Sequence, residues 1–117
     1  MTYIDSFVAP VPTANRQKYL EHAAAVAPLF REYGALSYTE CWGDDVPPGE
    51  RTSFPKAVDC GPDETVCIGW AVWPSRVVRD RAMEKMRGDE RMSPKNCPLP
   101  FDGSRLIFGG FEVIVEA

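Results

Sequence analysis

The chain has 117 residues and a mass of 13.0 kDa, the size of one domain spanning residues 1–117 whose core can close without metal or disulfide. Hydrophobic residues make up 44% and charged residues 26%, which excludes a disordered chain. The 13 basic and 17 acidic side chains leave a net charge of −4 and a pI near 5.0, which speaks against non-specific nucleic-acid binding, because that depends on Lys and Arg neutralising phosphates.

Met1–Ser6 has neither the basic stretch nor the apolar run of a signal peptide, and no apolar stretch approaches the roughly 18–20 residues of a membrane span. The expectation is a cytoplasmic protein that engages no membrane. Cys41, Cys60, Cys67 and Cys97 are then read as reduced thiols. With no CxxC and a single histidine, the sequence offers no metal-site spacing. No phosphate-binding loop, dinucleotide fingerprint or serine-nucleophile motif points to a cofactor.

In chain order, Thr2–Val11 reads as a strand that Pro10 and Pro12 stop. Thr13 reads as the N-cap of a helix to about Tyr33, with Tyr19, His22, Val26, Phe30 and Tyr33 on one side, Pro28 on the other and Gly34 ending it. Leu36–Val46 follows as a second strand, closed by Pro47-Pro48-Gly49. Residues 47–63 read as a long connection with a short bridging strand near Thr52–Val58. Thr65–Trp73 is a strand with no polar face. Pro74-Ser75 opens a second helix carrying the stripe Val78, Ala82, Met86. Residues 89–104 are irregular, and Arg105–Glu116 reads as a last strand, apolar on both faces. Gly109-Gly110 within it marks a bulge, or a place where Trp42, Trp70 or a ligand packs against backbone.

The order βαββαβ predicts an α+β, ferredoxin-like protomer with an antiparallel sheet. Two helices cover one face of such a sheet, yet the third and fourth strands are apolar on both. A second copy of the chain, packed sheet to sheet, covers the other face most economically, so the expected partner is the chain itself in a homodimer.

Glu40-Cys41-Trp42-Gly43-Asp44-Asp45-Val46-Pro47 and Pro100-Phe101-Asp102-Gly103, followed by Arg105-Leu106-Ile107-Phe108-Gly109-Gly110-Phe111, resemble the YbaA-like family of small bacterial proteins, a domain-of-unknown-function family. The resemblance runs from Tyr3 to about Val115. Leu99 and Leu106 stand where the pattern has Met, and Phe108 where it has Tyr. The resemblance implies a dimeric α/β barrel, and it carries no catalytic residue to this chain.

The candidate catalytic groups are Asp44, Glu40 and His22. Glu40, Trp42 and Asp44 are expected on one face of the strand, with Cys41 on the other, so Trp42 can wall a pocket while Glu40 or Asp44 takes a proton or holds a polar handle; equally, Asp44-Asp45 suits a capped turn before Pro47. His22 exchanges protons near neutrality by its chemistry, or serves as a hydrogen-bonding group at the helix rim. Tyr38, Trp42, Trp70 and Phe108 are the candidate ligand-binding residues, aromatic walls that suit a planar organic ligand or a dimer core. The basic residues around the second helix interleave with Asp80, Glu84, Asp89 and Glu90, as on a solvated face. Two functions fit: a protein that binds, or converts without a cofactor, a small, partly aromatic molecule between sheet and helices, and a non-enzymatic structural or stress-related dimer with no ligand.

Overall fold

The computed structural model describes residues 1–117. Strands β1 (Tyr3–Pro12), β2 (Ser37–Trp42), β3 (Glu64–Trp73) and β4 (Ile107–Glu112) form one sheet in the order β2-β3-β1-β4, with every neighbouring pair antiparallel. Helix α1 (Arg16–Glu32) joins β1 to β2, the single turn α2 (Phe54–Ala57) lies between β2 and β3, and α3 (Arg76–Arg87) follows β3. The chain is α+β, and no helix is long and apolar enough to cross a membrane.

Pro10 and Pro12 do not stop β1, which runs through both. The Thr13 N–H donates to the Asp63 carbonyl at 2.9 Å, and the Thr2 carbonyl accepts from Val113 N–H at 3.3 Å. Odd positions therefore turn their backbone polar groups toward β3 and even positions toward β4. The missing N–H groups of Pro10 and Pro12 face the β4 side, where pairing ends at Val8–Ile107, so neither proline breaks a ladder bond.

Other boundaries differ for local reasons. A 3-10 turn, Thr13–Asn15, precedes α1 in place of a Thr13 cap. Gly34, at φ +113°, ends α1: its N–H reaches the Arg31 carbonyl while Ala35 N–H reaches Phe30, which satisfies two orphan carbonyls of the last turn. The segment expected to bridge as a strand near Thr52–Val58 is instead α2, because Ser53 Oγ accepts from Lys56 N–H at 3.1 Å and Pro55 sits in the first turn. β2 is shorter than Leu36–Val46, ending at Trp42. β4 is shorter than Arg105–Glu116: Asp102 caps a 3-10 turn, Gly103–Arg105, ahead of it, and β1, its only neighbour, starts at Tyr3, so beyond Glu112 the tail keeps only the bonds of Thr2 to Val113 and Glu116. Gly109 and Gly110 pair directly with Ser6 and Asp5, so there is no bulge. A Cβ on Gly110 would collide with the Tyr3 hydroxyl and the Arg79 guanidinium, which are the groups packed against this backbone, and neither Trp42 nor Trp70 is among them.

The helices cover the sheet face carrying Tyr3, Asp5, Phe7, Ala9 and Val11 of β1. On this face the core is split. Tyr3, Ala71 and Trp73 pack with Ala35 and with Ala82 and Met86 of α3 at one end, while Ala9, Val11 and Cys67 pack with Tyr19 of α1 at the other. Between the two clusters the sheet presents Asp5, Phe7, Gly69 and Glu40. The opposite face carries Ile4, Val8, Ile68, Trp70, Val72, Ile107 and Phe111, and the chain itself does not cover it: Ile107 and Phe111 are 43% and 55% exposed.

The segment after α3 is tied back to α1. The Tyr33 hydroxyl donates to Asp89 Oδ2 at 2.6 Å, and Arg91 bridges Asp89, at 2.7 Å, to Glu32, at 2.5 Å. The Arg91 guanidinium and the Tyr33 hydroxyl hold the Asp89 carboxyl well below the usual carboxylate range.

Two measurements follow from this packing. Gly69→Ala would push a methyl into the Phe7 ring, whereas a Cβ on Gly109 would stand 3.5 Å from Phe111, an ordinary contact. Urea denaturation should show Gly69→Ala losing about 1–3 kcal/mol and Gly109→Ala changing by no more than about 0.5 kcal/mol. Because the folded state depresses the Asp89 value, its contribution is full above the unfolded value near ~3.9 and is lost as the pH falls through the folded one. The stability gap between the native chain and Asp89→Asn should therefore be constant near neutrality and shrink progressively below about pH 4.

Candidate functional site

The gap in the core is a cavity of about 270 Å³ between sheet and helices. Its floor is Phe7, which lies across Gly69, with Ala71 beside it. Phe30 of α1 and Met83 of α3 close it from the helix side, and Leu99, Phe101 and Leu106 roof the remaining edge. The lining is largely apolar, with Glu40, His22, Tyr38 and Asp5 as the convergent polar groups.

Glu40 is the centre of this arrangement. Its Oε1 accepts from the Tyr19 hydroxyl of α1 at 2.5 Å, and its Oε2 accepts from the Tyr38 hydroxyl at 2.9 Å. No ion pair includes it. Both tyrosines have hydroxyl values pushed far above the ordinary range: by burial and then the Glu40 hydrogen bond for Tyr19, and by burial and then the Glu40 charge for Tyr38. They are thus held as O–H donors. A carboxylate has about four lone-pair sites, so each Glu40 oxygen keeps one free for a donor entering the cavity. The Tyr38 ring stacks at 4.6 Å from Phe30 and 6.4 Å from Phe7, an aromatic wall beside that carboxylate.

Asp5 approaches from β1, on the far side of β3 from Glu40. Its Oδ2 accepts from the Trp73 indole N–H at 2.9 Å, and Arg79 Nε lies 3.2 Å from Oδ1. Burial pushes its carboxyl above the usual range, and the Arg79 charge opposes that shift. Arg79 itself stacks over the Tyr3 ring at 4.9 Å and donates to the Tyr3 hydroxyl at 3.1 Å.

Of the residues expected from the sequence, the structure brings together Glu40, His22, Tyr38 and Phe108, the last at the cavity rim and 80% exposed. Trp42 is close by but outside: its ring packs on Tyr19 at 6.0 Å and under the Arg16 guanidinium at 5.4 Å. Asp44 does not reach the cavity. It lies beyond the end of β2 against a separate groove that includes Val46, Cys60 and Glu64. Trp70 is on the opposite sheet face, because it pairs with Ser6 and Thr39 at positions out of phase with Glu40. Asp5 is the residue that reasoning from sequence passed over. Its signal is present: it is the single charged residue in the inward series Tyr3, Asp5, Phe7, Ala9, Val11.

Among known proteins, residues 2–103 match the family described as "Protein of unknown function (DUF1428)". The chain is 47% identical over 116 residues to "Uncharacterized protein YbaA" of Escherichia coli (strain K12), covering 99% of each, and the same figures hold for the proteins of that name in Escherichia coli O157:H7 and Shigella flexneri.

Hydrogen bonds to a charged acceptor are each worth about 1.5–3 kcal/mol. Tyr19→Phe should therefore lower unfolding free energy by about that much, and Tyr38→Phe should do likewise. The double variant should lose more than the sum, because one remaining hydroxyl still satisfies part of the Glu40 carboxylate and the double variant leaves it with neither. Denaturant melts of the four proteins check this cycle.

Proposed function

The chain belongs to the DUF1428 family, and within it we propose a protein that binds a small, partly aromatic molecule in the cavity between sheet and helices, with Glu40 as the group that takes hold of it. The observation that carries this reading is a carboxylate in an apolar, aromatic-walled cavity whose only partners are two tyrosine hydroxyls. Withdrawing such a group from water costs stability unless it is well satisfied; Glu40 is half-buried, and with one hydrogen bond on each oxygen it keeps acceptor capacity for a further donor. A ligand that fits is planar, near the small end of organic-ligand size, and carries an O–H or N–H donor at one edge. Glu40 accepts that donor and is placed to remove its proton. His22, which also lines the cavity, serves as a proton partner, and Tyr38 and Phe108 flank the ring.

The assembly proposed with this function is a homodimer. The order β2-β3-β1-β4 with α1 and α3 on one face suits a ferredoxin-like protomer, and the apolar residues on the bare face suit packing onto a second copy to complete a dimeric α/β barrel. Four cysteines without a disulfide suit the reducing cytoplasm.

A fluorescence titration series of phenols and anilines against their O-methyl and N,N-dimethyl analogues, which lack the donor, tests the ligand reading. Saturable binding is expected for a donor-bearing compound, weaker by about ten- to a hundredfold for its methylated analogue and for Glu40→Gln. Asp44→Asn, outside the cavity, should bind as the native chain does. Failure of every compound would favour the structural dimer without a ligand. In native mass spectrometry the dimer predicts a species at about 26 kDa, twice the 13.0 kDa chain; a stable monomer at micromolar concentration would remove the barrel.

A further inference from the structure

Cys97 and His22 are 75 residues apart in sequence, yet Cys97 Sγ lies 3.4 Å from His22 Nδ1. Hydrogen bonds fix the turn that delivers the thiol. Cys97 N–H donates to the Ser93 carbonyl at 2.7 Å, and Asn96 Nδ2 donates to the Glu90 carbonyl at 2.7 Å. Beyond it, Asn15 Nδ2 holds the Pro100 carbonyl at 2.9 Å, which ties the strap to the start of α1. Among the four cysteines Cys97 is the one whose thiol is within hydrogen-bonding distance of a basic side chain. The thiols of Cys60 and Cys67 face the carbonyls of Gly61 and Thr65 at 3.8 Å, and Cys41 lies on the bare sheet face. The Cys97–His22 pair opens onto a cleft of about 750 Å³ that Lys18 also lines and that adjoins the Glu40 cavity, with His22, Leu99 and Phe101 bordering both.

We propose that Cys97 and His22 form a second, covalent site that captures α,β-unsaturated carbonyl compounds as thioethers. A thiol hydrogen-bonded to an imidazole is a nucleophile with its base in place. Burial pushes the Cys97 thiol up, so near neutrality it is protonated and its attack depends on a base to receive the proton. His22 Nδ1 takes that proton as Sγ bonds to the β-carbon of the electrophile. The π pair of the C=C bond shifts toward the carbonyl oxygen to give an enolate, and the α-carbon then recovers the proton from the imidazolium. Nothing is oxidised and nothing leaves, so the addition needs no further reactant.

This reaction class is chosen over acyl transfer on what surrounds the pair. His22 makes no side-chain hydrogen bond other than that to Cys97, so no third group orients it as hydrolytic triads require. Addition needs only one proton carried out and back. The charged groups lining the cleft are Lys18 and Glu21 of α1 and Asp102 of the strap. Asp102 is engaged by Ser104 and Arg105, whereas the Lys18 ammonium is in no ion pair and is available to meet the enolate oxygen.

The test is a quenched time course of the full chain with N-ethylmaleimide, with each cysteine followed by peptide mass spectrometry. Cys97 should label about tenfold or more faster than Cys41 and Cys60, and His22→Leu, which keeps an apolar bulk beside the thiol, should slow Cys97 by about tenfold or more. Cys41 serves as the reference within the same molecule and should keep its rate. Cys97 labelling no faster than Cys41, or labelling equally fast or faster in His22→Leu because the strap has loosened, would overturn the proposal. His22 borders the Glu40 cavity as well, so the two readings are told apart by readout: the labelling rate of Cys97 for this site, and ligand affinity in Glu40→Gln for that cavity.

Discussion

The hydrogen bonds from Tyr19 and Tyr38 to the Glu40 carboxylate decide how the rest of the helix-covered face is arranged. Glu40 is half-buried, and a carboxylate partly withdrawn from water gains from local hydrogen bonds; supplying one here requires α1 to deliver Tyr19 over the sheet. Tyr38 needs no such arrangement, since it sits two residues before Glu40 on the same face of the same strand. The apolar core then condenses on either side of the carboxylate, around Trp73 at one end and around Val11 and Cys67 at the other. The cavity is the space between these clusters, kept open because the sheet offers Gly69 and Ala71 there and only Phe7 spans it.

The second carboxylate follows a different rule. Asp5 is met by a fixed indole donor and an arginine from α3, and that arginine also rests on Tyr3 and against the backbone at Gly110. A side chain at position 110 would displace both. The glycine is thus a consequence of bringing α3, β1 and β4 together around Arg79, and the same close approach draws β4 onto β1. The sheet as a whole depends on β1 and β3, whose long antiparallel pairing spans ten residues of each strand; the prolines of β1 are tolerated because β4 stops short of them.

Much of the architecture was legible from local signals. Ser75 before Arg76, Gly34 after α1 and the uninterrupted apolar run of β3 each marked an element whose position owes little to the rest of the chain. The boundaries that moved depend on neighbours: β4 ends where β1 begins, and β1 survives its prolines only because of which edge they face. Glu40, Tyr38, His22 and Phe108 were legible as candidates, since an acidic residue in an aromatic strand and a lone histidine on an apolar stripe are conspicuous. Asp44 and Trp70 carried equally plausible chemistry and went elsewhere, one past the strand end and one to the other face.

What the sequence alone determined was the order of the four sheet strands and the two long helices, the excess of apolar surface on β3 and β4, and the membership of a family, because these rest on residue type, spacing and local capping. What only the tertiary structure decided was which side chains meet. Strand register assigns Glu40 to the helix side and Trp70 to the bare side, since a shift of one residue exchanges the faces. The packing of α1 across the sheet places Tyr19 on Glu40, and the strap after α3 places Cys97 on His22. Each of these contacts joins residues on different elements, at separations of 21 and 75 positions, and no periodicity within one element encodes a distance between two.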